Sequence, residues 1–251
     1  MDFTLKIYKQ LLSALQKAGY EFITFEAYCE GKRPAKFVIM RHDVDLRAGH
    51  SLATAQVEAA LGIKASYFFR VVRQSNQPDK IMAMAALGHE IGYHYEDLSL
   101  FKGDMEAAVA HFEKQITHFR QFYPVRTVCM HGSPASRYDN RDLWKQYNYR
   151  DFGTIGEPYF DVDFEDVFYL TDTGRCWDGD KYSVRDKVKS SFTQSYHSTT
   201  DIIRAAKAGT LPPRIMITTH PQRWTDNAVE WLLEWVMQNV KNIVKRWLSK
   251  R

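Results

Sequence analysis

The chain has 251 residues, 45% of them hydrophobic, which is enough to bury a sizeable core as one α/β domain. Its formal charge of +4 is modest and dispersed, and it gives no argument for a nucleic-acid partner. No apolar run approaches the roughly 20 residues of a membrane span, so no stable membrane insertion is expected. The first residues, Met1-Asp-Phe-Thr-Leu-Lys, lack the basic-then-apolar layout of a secretion signal. Cys29, Cys129 and Cys176 are odd in number and form no metal-type pair, which fits reduced thiols in a cytoplasmic protein.

In chain order, residues 3 to 19 repeat apolar positions at helical spacing and end near Gly19, reading as a helix over one end of a barrel. Phe37-Val-Ile-Met40 is a buried strand that abruptly delivers Arg41-His-Asp-Val-Asp45. Residues 48 to 61 form a helix stopped by Gly62, and Ala65 to Arg70 is an aromatic-rich strand. Pro78 to Leu87 opens with a proline suited to a first helical turn and stops before Gly88. Gly88 to Asp97 reads as a short strand running into His94, Glu96 and Asp97. Asp104 to Phe122 is a long amphipathic helix, and Arg126 to His131 is an apolar strand ending on histidine. A short helix follows over Asp139 to Tyr147, capped by Asp139.

The region 150 to 200 is the least regular. Tyr149 to Gly153 and Val167 to Leu170 look like strands, and the acids between them (Glu157, Asp161, Asp163, Glu165, Asp166) read as an exposed excursion. A calcium loop is rejected there, because its glycine and later bidentate Glu are missing. Helices over Asp201 to Ala208 and Asp226 to Leu248 flank a last strand, Arg214 to His220. No repeat, low-complexity stretch or linker divides the chain.

Several separate apolar strands therefore stop at a His or an Asp. Parallel strands joined by helices bring their carboxyl ends to one rim, where barrels and open sheets place their chemistry. Such an ending at one strand is ordinary; at four strands it is not chance.

In this order, Asp43-Val-Asp45, Gly88-His-Glu-Ile-Gly-Tyr-His94, Leu170-Thr-Asp172 through Trp177, and Ile217-Thr-Thr-His220 resemble the polysaccharide deacetylases with a NodB homology domain, carbohydrate esterase family four. The resemblance spans about residues 36 to 224, with an N-terminal helix and loop (1 to 35) before it and a C-terminal helix (225 to 251) after it. It implies a distorted (β/α) barrel of parallel strands, TIM-barrel-like, that removes acetyl groups from N-acetylated sugars with one divalent metal. By resemblance, Asp43 is the general base, Asp45 and His94 are metal ligands, and His220 is the general acid, oriented by Asp172. Trp177 would help wall the pocket for the acyl methyl. The chemistry needs such residues, because an amide carbonyl is weakly electrophilic and its amine leaves poorly. A metal polarises the carbonyl and acidifies water, and a histidine donates a proton to the departing nitrogen. A mixed N/O ligand set with open positions suits Zn²⁺, with Co²⁺, Ni²⁺ or Mn²⁺ as substitutes.

The departures are specific. The family's second histidine in this motif falls at Leu98, which cannot ligate; His131 is the first candidate for the third ligand, and Glu96 and Asp97 are the next. Val44 separates acids that are usually adjacent, although in a strand-end geometry it would point away and leave both acids facing one pocket. The arginine-proline motif is replaced by His131-Gly-Ser-Pro-Ala-Ser136, so oxyanion and substrate contacts fall to backbone N–H groups near Ser133 or to the Arg41 or Arg137 side chains. His42 reads as a packed histidine behind the acids or as a ligand, and His89 as a core residue. His50, His111, His118 and His197 receive no role.

The C-terminal helix carries Trp231, Leu232, Trp235, Val236, Val240, Ile243, Val244 and Trp247, with Lys241, Lys245, Arg246, Lys250 and Arg251 toward its end. It reads as a helix docked on the barrel by its apolar face, with a solvated cationic tail. The expectation is thus a metal-dependent hydrolase of carbon–nitrogen bonds, removing an acetyl group from a sugar in intracellular surface-polysaccharide assembly. Its partner would be a small-molecule or glycan substrate. A cyclic amidase on the same scaffold, or a catalytically silent carbohydrate-binding relative, are the alternatives.

Overall fold

Strand β2 (Phe37–Val44) organises the molecule, and its alternation explains both the barrel and the site. Val38, Met40 and Val44 pack outward in the main core with the helices, whereas Phe37 and Ile39 join a second, interior core. Period-two alternation then puts Arg41 and Asp43 on the interior side, at the carboxyl end of the same strand. The strand thus runs four residues past the apolar segment, carrying the charged residues inside the ladder rather than in a loop after it.

The computed structural model describes residues 1–178 and 185–248; Lys250 and Arg251 of the cationic tail lie outside the described residues. Among the described residues, seven strands form one parallel sheet: β1 (Glu21–Ile23), β2, β3 (Ser66–Phe69), β4 (Glu90–Tyr95), β5 (Val128–Met130), β6 (Phe168–Thr171) and β7 (Arg214–Thr219). The spatial order is β5-β4-β3-β2-β7-β6, with β1 paired to the first half of β2 along the edge that β3 uses further on. The sheet curls into a distorted, open (β/α) barrel.

Helices cover its outside: α1 (Leu5–Lys17), α2 (Phe25–Cys29), α3 (Ala48–Ala59), α4 (Pro78–Ala86), α5 (Asp97–Leu100), α6 (Met105–Phe119), α7 (Pro158–Asp161), α8 (Thr199–Ala208) and α9 (Ala228–Leu248). Local chemistry sets their ends: Thr4, Thr24 and Asp104 accept hydrogen bonds from first-turn amides, and Ser198 and Asp201 close a capping box on α8.

Inside the barrel, Phe68, Cys129 and Met216 join Phe37 and Ile39, and Val162, Phe164 and Val167, from the segment between β5 and β6, pack in the same cluster. Packing there is tight. A Cβ added at Gly92 would lie 2.4 Å from the Phe68 ring and 2.9 Å from the Thr127 carbonyl, so only glycine lets β4 approach β3.

Three expectations for this part of the chain are corrected. Tyr149–Phe152 is a 3₁₀ turn rather than a strand, because Asn148 caps the Arg150 amide and Gly153 ends the turn at φ 71°. The Asp139-capped segment is likewise 3₁₀, over Asn140–Lys145. Glu157 is fully buried as the cap of α7 and accepts from the amides of Met130 and Tyr159, so the acidic excursion is partly interior. Its carboxyl is pushed up to about 7 by burial, against those hydrogen bonds.

The C-terminal helix also departs from expectation. Glu234, Gln238 and Asn242 face the body and are buried, whereas Leu232, Trp235, Val236, Val240 and Ile243 are exposed. Trp231 is half-buried, its Nε1 donating to the Asp2 carbonyl at 2.8 Å.

Candidate metal centre

Strand ends converge on a cavity of about 280 Å³ at the carboxyl rim, lined by Asp43, Asp45, His94, His131 and His220 among others. Asp45 follows β2, His94 stands on β4, His131 follows β5 and His220 follows β7. The β4–β5 register, with His94 opposite Cys129, together with the bond from the His131 amide to the Tyr95 carbonyl, brings the two imidazoles within 5.1 Å between ring centres.

The hydrogen bonds fix where the protons sit. His94 Nδ1 lies 2.9 Å from the Cys129 carbonyl, which can only accept, so Nδ1 carries the hydrogen and Nε2 presents a bare lone pair. His131 Nδ1 lies 3.0 Å from the Glu96 carboxylate, which leaves its Nε2 bare as well. Those two Nε2 atoms stand 3.7 Å and 3.3 Å from Asp45 Oδ1. Oδ1 is buried and has no hydrogen-bond partner among the described residues. Three electron-rich atoms, all within 4.8 Å of one another, thus face each other with no proton between them. That is the arrangement a divalent cation would satisfy, with imidazoles anchored through their far nitrogens as metal-binding histidines usually are.

Electrostatics agree with this arrangement. Burial pushes the His94 imidazole down to about 4, the neutral form a ligand needs, although Asp43 and Asp45 oppose that shift. Burial works against ionisation of Asp45; positive charge on the facing imidazoles His131, His220 and His94 and on Arg70 holds its carboxyl well below the usual range, a part a bound cation would take over once those imidazoles are neutral. Glu96, likewise opposed by burial, is held down at about 2 by His131 and Arg70, the latter bonding it at 2.7 Å.

A second trio, Asp43, His94 and Cys129, fits a cation less well. Arg41 grips both Asp43 oxygens, Nε at 2.8 Å and Nη2 at 2.7 Å, and burial drives the Cys129 thiol well above its ordinary value.

Across the cavity, His220 Nε2 approaches the other Asp45 oxygen at 4.0 Å, and the Gln222 amide donates to that oxygen at 3.2 Å. Asp172, fully buried, accepts from His220 Nδ1 at 2.6 Å, from the His220 amide at 3.0 Å and from Trp224 Nε1 at 2.8 Å. Burial opposes its ionisation, yet Arg223 and His220 hold it below the ordinary carboxylate range. The His220 ring is thereby fixed with Nε2 toward the cavity. Val44, between the two acids, points outward into the core, so Asp43 and Asp45 both line the cavity.

The side chains of three residues expected at the substrate do not line it. Arg41 is buried and spent on Asp43. The Ser133 side chain sits behind His131, its hydroxyl directed to Glu96 at 3.3 Å, while the flanking Gly132 and Pro134 do line the cavity. Trp177 donates to Thr199 Oγ1 at 2.9 Å and lines a neighbouring cavity with Phe168 and Tyr196 instead.

Other expected contacts also resolve. Arg137 lies over Tyr138, and Asp97 is turned away onto Tyr93 and His111. Leu98 is buried on α5. His42 is fully buried, bonded to Glu58 at 2.7 Å and Thr219 at 2.7 Å, with no atom in the trio. In place of the missing contacts the cavity has Arg70, Tyr159, Arg185, Asp186 and Gln222. Arg70 and Gln222 could have been found from their places at or just beyond strand ends. Arg185 and Asp186 lie in a stretch without periodicity, which gave no signal.

A parallel barrel thus presents a carboxylate and two such imidazoles at its rim, a set that could hold a metal ion. No family model matches the chain, and no curated protein matches it. Among solved structures it is similar to a CE4 esterase from Streptococcus mutans, at 13% identity over 92% of this chain and 90% of that one, TM-score 0.46. It is also similar to a family 4 carbohydrate esterase from Streptomyces lividans in complex with acetate, at 14% identity over 82% of this chain and 88% of that one, TM-score 0.43. A third is a mutant of a CE4 family pseudoenzyme with restored enzymatic activity, at 14% identity over 82% of this chain, TM-score 0.45; the chain spans 63% of its length. No helix among the described residues is long and apolar enough to cross a membrane.

Proposed function

We propose that the chain is a divergent polysaccharide-deacetylase-like protein and a metal-dependent hydrolase of carbon–nitrogen amide bonds, whose substrate is an N-acetylated sugar. The observation that carries this reading is the unpartnered Asp45 Oδ1 facing two bare imidazole nitrogens. Asp45, His94 and His131 would hold the cation, Zn²⁺ by the chemistry of a mixed N/O set. When bound, it would polarise an amide carbonyl and acidify water.

The chain's own residues supply the proton transfers. Asp43 is oriented by Arg41 and opens onto the cavity, where its carboxylate can take a proton from water. His220, on the opposite side of Asp45, points Nε2 into the cavity while Asp172 anchors Nδ1, the arrangement for handing a proton to a departing nitrogen. Such positioned proton transfer is typically worth about 10²–10⁴-fold in rate. The cavity is small for a ligand cleft, which suits one acetamido-bearing ring better than a long segment of polymer.

The test is acetate release from a panel of N-acetylated sugars by protein loaded with Zn²⁺, Co²⁺, Ni²⁺ or Mn²⁺, beside cyclic ureides and imides. Metal-dependent acetate release supports the proposal. Turnover of the cyclic amides alone, or of nothing by a protein that holds stoichiometric metal, contradicts it.

A further inference from the structure

Helix α9 buries its polar face, and two side chains of that face reach the cavity without being satisfied there. Glu234 is 5% exposed and lines the cavity, yet its carboxylate forms no hydrogen bond or ion pair with any described residue. Arg175 is near enough to feel that charge, but it gives Nη1 to the Trp231 carbonyl at 3.0 Å. A buried carboxylate without a partner is costly, and a ligand that donates to it recovers the loss.

Gln238 is 4% exposed and also lines the cavity, and a chain of hydrogen bonds fixes which of its atoms is left over. The Gly174 carbonyl only accepts, so Asn242 donates to it through Nδ2 at 2.8 Å and keeps Oδ1 as an acceptor. Gln238 Nε2 donates to that Oδ1 at 2.7 Å, which leaves Gln238 Oε1 as its acceptor. Gln222, also lining the cavity, repeats the pattern: Nε2 is given to Asp45 at 3.2 Å, and Oε1 is buried with no partner among the described residues.

What this wall lacks is hydrogen-bond donors. Hydroxyl groups supply them without charge, and two neighbouring hydroxyls on one ring match the two oxygens of a carboxylate. An ammonium would also donate, but it would meet Arg70, Arg185, Arg223 and Lys241 around the same cavity. We propose that Glu234 and Gln238 recognise the sugar by accepting hydrogen bonds from its ring hydroxyls, while its acetamido group lies toward Asp45 and His220. This rests on the proposed acetylated sugar as ligand, not on its turnover.

The test is a ligand-observed NMR titration of the full chain in buffer containing Zn²⁺. N-acetylglucosamine is compared with N-ethylacetamide, which has the amide but no hydroxyl, and with N-(4-aminobutyl)acetamide, which carries an ammonium. The sugar should bind at least about tenfold more tightly than either. Glu234→Ala should weaken sugar binding by about 10–100-fold and Gln238→Ala by about 5–10-fold, with N-ethylacetamide affinity kept. Should Glu234→Ala fail to fold, Glu234→Gln keeps the shape, removes the charge and should still weaken the sugar by about fivefold or more. No sugar binding by the parent, equal losses for the sugar and N-ethylacetamide, or tighter binding of the aminobutyl amide would overturn the proposal. So would Glu234 variants that lower the unfolding midpoint but keep sugar affinity, the mark of a mere partner for Arg175. A protein that binds the sugar through these two residues but releases no acetate upholds the recognition site and refutes the hydrolase.

Discussion

Glu96→Gln separates the electrostatic account from simple packing. Glu96 bonds Arg70 Nε at 2.7 Å and His131 Nδ1 at 3.0 Å, and despite burial these partners draw its carboxyl from 4.5 down to about 2. At 1.36 kcal/mol per unit, that difference is about 3 kcal/mol of stability. A carboxylate depressed in the folded state contributes its full amount above the unfolded value of 4.5 and loses it as pH falls toward 2. Glutamine keeps the shape and removes the charge. Urea unfolding of the metal-free variant should therefore show a deficit of about 3 kcal/mol at pH 7 that shrinks steadily below pH 4.5. Because Glu96 also makes His131 a more basic ligand, affinity for Zn²⁺ in competition with a chromogenic chelator should fall by about 10–100-fold. A deficit that is the same at pH 3 and pH 7, or a metal affinity within about twofold of the parent, would refute the reasoning.

Other substitutions probe separate parts of the structure. Asp172→Asn should leave metal content unchanged but cut turnover by about 10²–10⁴-fold, because the negative charge that stabilises a protonated His220 is lost and the amide can turn either its oxygen or its NH₂ to Nδ1; normal turnover would remove the pair from the chemistry. Burial raises the Glu90 carboxyl from 4.5 to about 7, so Glu90 should take about 3 kcal/mol from the stability as pH rises through that window, beside a similar share from Glu157. Glu90→Gln should remove the Glu90 share of this slope in thermal unfolding and leave that of Glu157, and an undiminished slope would show that other groups are responsible. Gly92→Ala should lose about 1–3 kcal/mol in urea unfolding, because its methyl would strike the Phe68 ring and the Thr127 carbonyl; a neutral effect would mean that the interior is looser than described.

The site residues were legible because a strand buried on both faces is written as an apolar run, and its polar end stands out against it. Asp45, His131 and His220 announce themselves that way and His94 by its Gly-His-Glu-Ile-Gly-Tyr-His motif, and the structure brings them together in one cavity. Strand β1 did not announce itself: three residues with a single buried side chain carry no period. Tyr149–Phe152 alternates like a strand, and only the Asn148 cap and the left-handed Gly153 turn it into 3₁₀. Trp177 could be placed near strand β6, but which of two neighbouring cavities it lines depends on Thr199, 22 residues further along. Helix α9 shows the limit most plainly. Its periodicity displays a polar and an apolar face, but not which of them meets the body; that depends on partners such as the Gly174 carbonyl, which no local pattern reveals.

The most direct measurement is an anomalous difference map from crystals grown with Zn²⁺ or Co²⁺. One strong peak should lie about 2.0–2.2 Å from Asp45 Oδ1, His94 Nε2 and His131 Nε2. An empty cleft at full metal occupancy elsewhere, or a peak held by Asp43 and Cys129 instead, would contradict the centre described.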